Sequence, residues 1–223
     1  MQTESGSTIH RQDYQPFPFL IPAVRLEFNL DADQTWVCST LTVRRRRDVA
    51  ASSQLVLNGE DLSLISIHLN GIELSEQDYQ ISETSLTINN MPDEADLQIV
   101  STCMPSKNSS LMGLYVSGKN LFTQCEAEGF RKICWFADRP DVMSIYHVTL
   151  RADRADFPLL LSNGNLIKKQ DLENGRHEVQ WHDPFAKPCY LFALVAGTFA
   201  CREHLTTTQS GREVVLQLSL IHI

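Results

Sequence analysis

Ile65-Ser66-Ile67-His68-Leu69-Asn70-Gly71-Ile72-Glu73-Leu74 is the stretch that decides the fold. Two strand-like segments flank Asn70-Gly71, a dipeptide that accepts positive φ at both central positions of a tight turn, so the segment predicts a β-hairpin. Upstream, Val24, Leu26, Phe28 and Leu30 alternate with Arg25, Glu27 and Asn29, the period of a half-buried strand, and Val37, Leu41 and Val43 continue the habit. Downstream, Leu86 and Ile88, then Leu97 and Ile99, mark two short strands separated by Asn89-Asn90-Met91-Pro92. A second turn, Asn174-Gly175, joins Gln170-Asp171-Leu172 to His177-Glu178-Val179-Gln180-Trp181. Thr206 to Arg212 reads as another hairpin turn, after which Val214, Leu216, Leu218 and Leu220 alternate. Helical periodicity is weak, and only the region from about Phe130 to Val142 has room for a turn or two. Strands at this spacing predict an all-β chain, an antiparallel sandwich or saddle-like double sheet. Tyr190 to Gly197 is apolar without alternation, which predicts a strand buried on both faces where two layers or domains meet. The last alternating strand has no successor to pair its edge, so the sequence reads as cut there.

Composition narrows the function classes. A chain of 223 residues suits one large all-β domain or one domain with an attached piece. Hydrophobic residues make up 43% and charged residues 21%, ordinary for a soluble globular protein. A formal net charge of -8 disfavours a phosphate backbone as partner. The one dense basic run, Arg44 to Arg47, is expected to be charge guarding a solvated sheet edge. Six cysteines occur without C-x-x-C spacing, and the polar first ten residues lack the apolar core of a secretory signal. Free, mostly buried thiols in a reducing compartment are therefore expected. No apolar run approaches the roughly 18 residues needed to span a bilayer.

Chemistry concentrates in Thr123-Gln124-Cys125-Glu126-Ala127-Glu128-Gly129-Phe130-Arg131 and the nearby Asp138-Arg139-Pro140-Asp141. Acidic side chains held beside a core are ready to receive a cation, such as a ligand's ammonium group. The plainer alternative is a surface turn tied to a strand by ion pairs. Elsewhere the motifs fail. His177 and His182 are five residues apart on a strand, so they point to opposite faces and do not form the helical H-E-x-x-H zinc pair. There is no G-x-S-x-G elbow, no P-loop and no G-x-G-x-x-G. Cys125 stands beside Glu126, which is expected to raise the thiol's pKa and blunt it as a nucleophile.

The segment Gln124 to Val142, QCEAEGFRKICWFADRPDV, resembles the N-terminal domain of the bacterial aminopeptidase N family, the alanyl branch of the zinc-dependent gluzincin aminopeptidases. Asp13-Tyr14-Gln15-Pro16, Leu57 to Leu62, Leu161 to Asn165, Glu173 to His177 and Asp183 to Gly197 resemble the same branch, in order, from about residue 10 to 218. The resemblance implies a flexible segment over residues 1–12 and a saddle-like β domain over 13–198. Residues 199–223 would begin a thermolysin-like catalytic domain, with the last five departing from the family pattern and reading as non-native. It also implies that one loop closes part of an active-site cavity. Glu126 falls where the family's glutamate binds the substrate's free α-amino group, and Gln124 where a neighbour lines the pocket for the first side chain. Glu128 is the nearest competitor to Glu126, and Asp138-Arg139-Pro140 is expected to fix the loop rather than touch substrate.

The family's H-E-x-x-H zinc motif, catalytic tyrosine and Gly-x-Met-Glu-Asn loop do not occur in these residues. Zinc would thus belong to the full-length enzyme, with none bound by this piece and no catalytic residue in it. The implied partners are peptides with a free N-terminus and the catalytic domain, without nucleic acid or a membrane span. The implied location is the cytoplasm, free or peripherally associated with the inner membrane. A reading from another class is a stand-alone β-sandwich binding or scaffold module that keeps the sequence without the chemistry.

Overall fold

The computed structural model describes residues 10–49 and 52–221. Most of the expected flexible N-terminus and the final two residues of the tail lie outside that range, while Arg11–Asp13 forms a single 3-10 turn. Seventeen strands follow among the described residues. They are β1 (Phe19–Asn29), β2 (Thr35–Arg45), β3 (Leu55–Asn58), β4 (Ser63–Leu69), β5 (Ile72–Glu73), β6 (Tyr79–Ile81), β7 (Ser85–Ile88), β8 (Glu94–Cys103) and β9 (Gly113–Ser117). Next come β10 (Asn120–Gln124), β11 (Ser144–Asp153), β12 (Leu159–Ser162), β13 (Asn165–Asp171), β14 (Arg176–Lys187), β15 (Leu194–Gly197), β16 (Ala200–Thr207) and β17 (Glu213–Leu220).

The local signals act as the sequence suggests. Asn70 and Gly71 take φ of 52° and 80°, and the turn brings His68 opposite Glu73. Asn174 and Gly175 turn β13 into β14 in the same left-handed region, at 57° and 73°. On β1, Val24, Leu26 and Phe28 are fully buried while Arg25, Glu27 and Asn29 lie on the other face. An eight-stranded sheet runs in the order β13-β14-β11-β1-β2-β8-β4-β5. Its buried face shares one apolar core with a four-stranded sheet, β12-β15-β10-β9, and a three-stranded sheet, β3-β7-β6. Leu55, Leu57, Leu86 and Ile88 enter that core from the small sheet, and Leu121, Leu160 and Leu194 from the four-stranded one. The result is an all-β sandwich, antiparallel but for the parallel pair β1 and β11.

Two expectations need correcting. Tyr190 to Gly197 is not one strand buried on both faces: a 3-10 turn, Cys189–Leu191, precedes the four-residue β15, and burial alternates. Phe192, Leu194 and Ala196 point inward, while Leu191 is half exposed, because only one face of this sheet meets another layer. Arg44 to Arg47 do not guard a sheet edge, since β2 lies between β1 and β8. They cap the end of a central strand, where Arg45 pairs with Asp93 at 2.7 Å and lies over the Phe19 ring, and Arg46 pairs with Asp48. The last hairpin, β16 with β17, forms a sheet of its own and leaves Leu205, Val215, Leu216 and Leu218 more than half exposed. Among the described residues no helix is long and apolar enough to cross a membrane.

Candidate functional site

The acidic loop springs from the end of β10, which is held between β15 and β9. Gln124 is the last strand residue, and its register partner is Gly113. The chain then turns tightly: the Gly129 amide donates to the Cys125 carbonyl at 2.8 Å, and a 3-10 turn, Phe130–Lys132, follows. No side chain fits at Gly129, because a Cβ there would sit 2.1 Å from the Gln124 carbonyl oxygen and 2.9 Å from the Gly113 nitrogen. Cys125 and Phe130, on either side of the turn, are buried, and the Phe130 ring meets Phe136 and Phe192 edge-on at 5.1 and 5.3 Å. The exposed tip is thus seated on a packed aromatic floor.

That seating sorts the acidic groups. Asp138 is buried, with its side chain 1% exposed. One of its oxygens, Oδ2, accepts from the Arg131 amide at 3.1 Å and from Arg131 Nε at 3.0 Å, and the other, Oδ1, from the Cys189 thiol at 3.0 Å. Its amide donates to Asn58 Oδ1 at 3.2 Å, and Asn58 is paired with Phe136 through both backbone groups. Glu128 takes Arg131 Nη2 at 3.2 Å, and Glu60 lies 3.7 Å from the same guanidinium. Glu126 differs. It is exposed, its backbone carbonyl accepts from Gln124 Nε2 at 3.0 Å, and its carboxylate has no hydrogen bond or ion pair among the described residues. Beside the loop, a cleft of about 470 Å³ is lined by Asn58, Glu128, Arg131, Asp138 and Arg139 but not by Glu126. Glu126 and Gln124 therefore stand on the open surface, and the active-site cavity that the resemblance implies this loop to close would need a second surface.

A second ion pair ties the chain start to this region. Arg139 chelates Asp141 at 2.8 and 3.0 Å, donates to the Gln15 carbonyl at 2.7 Å, and lies beside the rings of Tyr14 and Phe17. Burial alone would raise the Asp141 pKa, but donors from Arg139, the Phe17 amide and Tyr14 hydroxyl outweigh it and bring the carboxyl down to about 2.

This fold occurs in known proteins. The Peptidase M1 N-terminal domain matches residues 11–191. The chain belongs to this family. It is 46% identical over 216 residues to aminopeptidase N of Escherichia coli (strain K12), a match covering 97% of this chain and 24% of that protein. Against aminopeptidase N of Caulobacter vibrioides it is 47% identical over 218 residues, covering 98% and 25%. The crystal structure of Legionella pneumophila aminopeptidase A in complex with aspartic acid matches with a TM-score of 0.88 at 35% identity, over 93% of this chain and 25% of that one. The chain spans about a quarter of the length of the curated relatives it matches.

Within this M1 domain the remaining candidates resolve simply. Cys125 is inert, but burial and then Asp138 push its thiol up, rather than Glu126. His177 is buried with Nε2 against the Phe157 carbonyl at 2.8 Å, whereas His182 stacks on His147 across the β11–β14 pair, ring centroids 4.2 Å apart. No group of three or more His, Cys, Asp or Glu side chains among the described residues is placed to hold a metal ion. Asp138 and Cys189, a mixed donor pair 3.0 Å apart, are already hydrogen-bonded to each other. The described residues do not fit the zinc of the M1 metallopeptidases. All six cysteines are free, five of them buried. Asn58 and Cys189 carry no motif of their own. Their link to Asp138 spans 80 and 51 residues, a separation that no local pattern encodes.

Proposed function

We propose that this chain is the substrate-anchoring domain of a zinc aminopeptidase that removes N-terminal residues from peptides. Glu126 receives the peptide's free α-ammonium group, and Gln124 lines the space for the first side chain. The observation that carries the reading is the unpartnered Glu126 carboxylate on a loop whose Asp138 and Glu128 are both engaged by Arg131. A fixed carboxylate attracts a cation more strongly once a covering surface displaces water, and the ammonium–carboxylate hydrogen bond is of the charge-assisted kind. The catalytic domain supplies that cover, and the exposed leucines of β16 and β17 lie where the chain runs into it. A peptide with a blocked amine would leave Glu126 desolvated and unpaired, which makes the enzyme an exopeptidase. Zinc and the groups that activate water belong to the catalytic domain, so the chain alone is inactive.

The test is Glu126→Ala against Glu128→Ala in the full-length enzyme, with an unblocked aminoacyl substrate. Truncating the partner of a buried charge typically costs about 2–5 kcal/mol, roughly a 30- to 4,000-fold loss in kcat/KM for Glu126→Ala. The Glu128 side chain is 69% exposed and its ion pair lies at the surface, so its removal is expected to cost less than about 1 kcal/mol. An unchanged kcat/KM for Glu126→Ala, or a larger loss for Glu128→Ala, removes Glu126 from the site.

A further inference from the structure

We propose that Cys189 is a positioning residue for the amine-binding loop, acting through its hydrogen bond to Asp138; this rests on the assignment of Glu126 above. The thiol is 1% exposed and lies 3.0 Å from Asp138 Oδ1, whose other oxygen receives both the amide and the Nε of Arg131. Rotation about the Cβ–Cγ bond moves both carboxylate oxygens, so a carboxylate held on both is fixed in plane more tightly than one held on a single oxygen. The sulfur keeps its proton, since burial and the neighbouring Asp138 push its pKa up, so it serves as the donor.

The geometry carries this from Cys189 to the tip of the loop. Cys189 opens the 3-10 turn that leads through Phe192, packed on Phe130, into β15. β15 pairs with β10, which ends in Gln124 at the start of the loop. Asp138 holds the far end through the Arg131 amide, five residues beyond Glu126. Arg131 is thus held from this node and the β10 end of the loop by the sheet that Cys189's turn leads into, and the stretch between them carries the exposed carboxylate. Losing the thiol donor leaves Oδ1 of Asp138, a side chain only 1% exposed, without its partner and lets the loop's far anchor shift. A misplaced Glu126 weakens capture of the ammonium group before it affects bond cleavage.

The experiment is steady-state kinetics of the full-length enzyme carrying Cys189→Ala and Cys189→Ser, with an unblocked dipeptide and active-site titration. Cys189→Ala is expected to raise KM about five- to tenfold with kcat per titrated site changed less than twofold, and Cys189→Ser, which restores a donor, to bring KM back to within about twofold of the parent. A variant that merely lost stability would lower the titrated concentration and leave KM alone. In a Glu126→Ala background, Cys189→Ala should add less than twofold, because its effect passes through Glu126. Should alanine leave too little folded enzyme, Cys189→Val fills similar space without a donor and carries the comparison. An unchanged KM in the alanine or valine variant, or full additivity with Glu126→Ala, overturns the proposal. If Glu126→Ala itself leaves KM and kcat unchanged, the assignment of Glu126 fails instead.

Discussion

Gly129→Ala tests whether the loop geometry is as tight as the structure shows. Gly129 has φ of -82°, which any residue adopts, so the substitution carries no backbone-strain penalty of its own. What opposes it is space: the added methyl would meet the Gln124 carbonyl oxygen at 2.1 Å, the Gly113 nitrogen at 2.9 Å and the Cys125 Cα at 3.0 Å. All three are backbone atoms of paired or buried residues, so relief requires the end of β10 to part from β9 or the loop to lift off Phe130. Overpacking usually costs about 1–3 kcal/mol where side chains can yield, and with backbone on every side we expect about 3–4 kcal/mol. For a chain of this size that lowers Tm by roughly 6–15 °C. The control is Gly71→Ala, where φ is +80° and no atom lies within 4 Å, so only left-handed strain of about 1–2 kcal/mol and a few degrees in Tm are expected. Thermal unfolding of the two variants beside the parent decides the matter. A Gly129→Ala protein that melts within about 2 °C of the parent, or above Gly71→Ala, refutes the close approach around Gln124.

Asp141 gives a signed pH effect. Its folded-state pKa of about 2 lies below the ordinary 3.8, so its contribution is complete above about pH 4 and disappears as pH falls towards 2. Urea unfolding of Asp141→Asn should show a deficit of about 2 kcal/mol at pH 7 that narrows below pH 4, and a deficit independent of pH would rule out the Arg139–Asp141 clamp. Thiol titration checks the packing independently. With a disulfide-exchange reagent the native protein should react quickly at one cysteine, Cys201, and at all six when denatured. Rapid reaction of three or more native thiols would contradict the buried state of Cys125, Cys134 and Cys189.

The fold was legible wherever one residue's chemistry suffices. Asn70-Gly71 and Asn174-Gly175 specify their turns because few other pairs accept positive φ twice, and the alternation from Val24 to Leu30 specifies which face of β1 is buried. The alternation cannot say which strands become neighbours. The parallel pairing of β1 with β11 joins residues more than a hundred positions apart, and the central place of β2, which reverses the edge reading of Arg44 to Arg47, depends on the same long-range order. The run from Tyr190 to Gly197 misleads for a related reason. Apolar residues on an outer face look the same in sequence as residues sealed on both faces, and Leu191 shows which kind this is only when the layers are in place.

At the site, the sequence presents acidic residues that are alike in type, and the fold makes them unlike. Asp138 is taken out of solvent and satisfied by Arg131 and Cys189, and Glu128 keeps solvent but shares the same arginine. Glu126, two residues earlier, is exposed and its carboxylate has no partner among the described residues. The plainer alternative, a turn held by ion pairs, thus describes most of this loop. The ion pairs hold the turn in place, and the one acid they omit is the one displayed. That division suits the proposed recognition, because an unpaired carboxylate on a loop whose backbone is held in place has no pair to break before it meets a cation. An acid already paired within its own domain would first have to break that pair, which is why the proposed amine site falls on Glu126 rather than on Glu128 or Asp138.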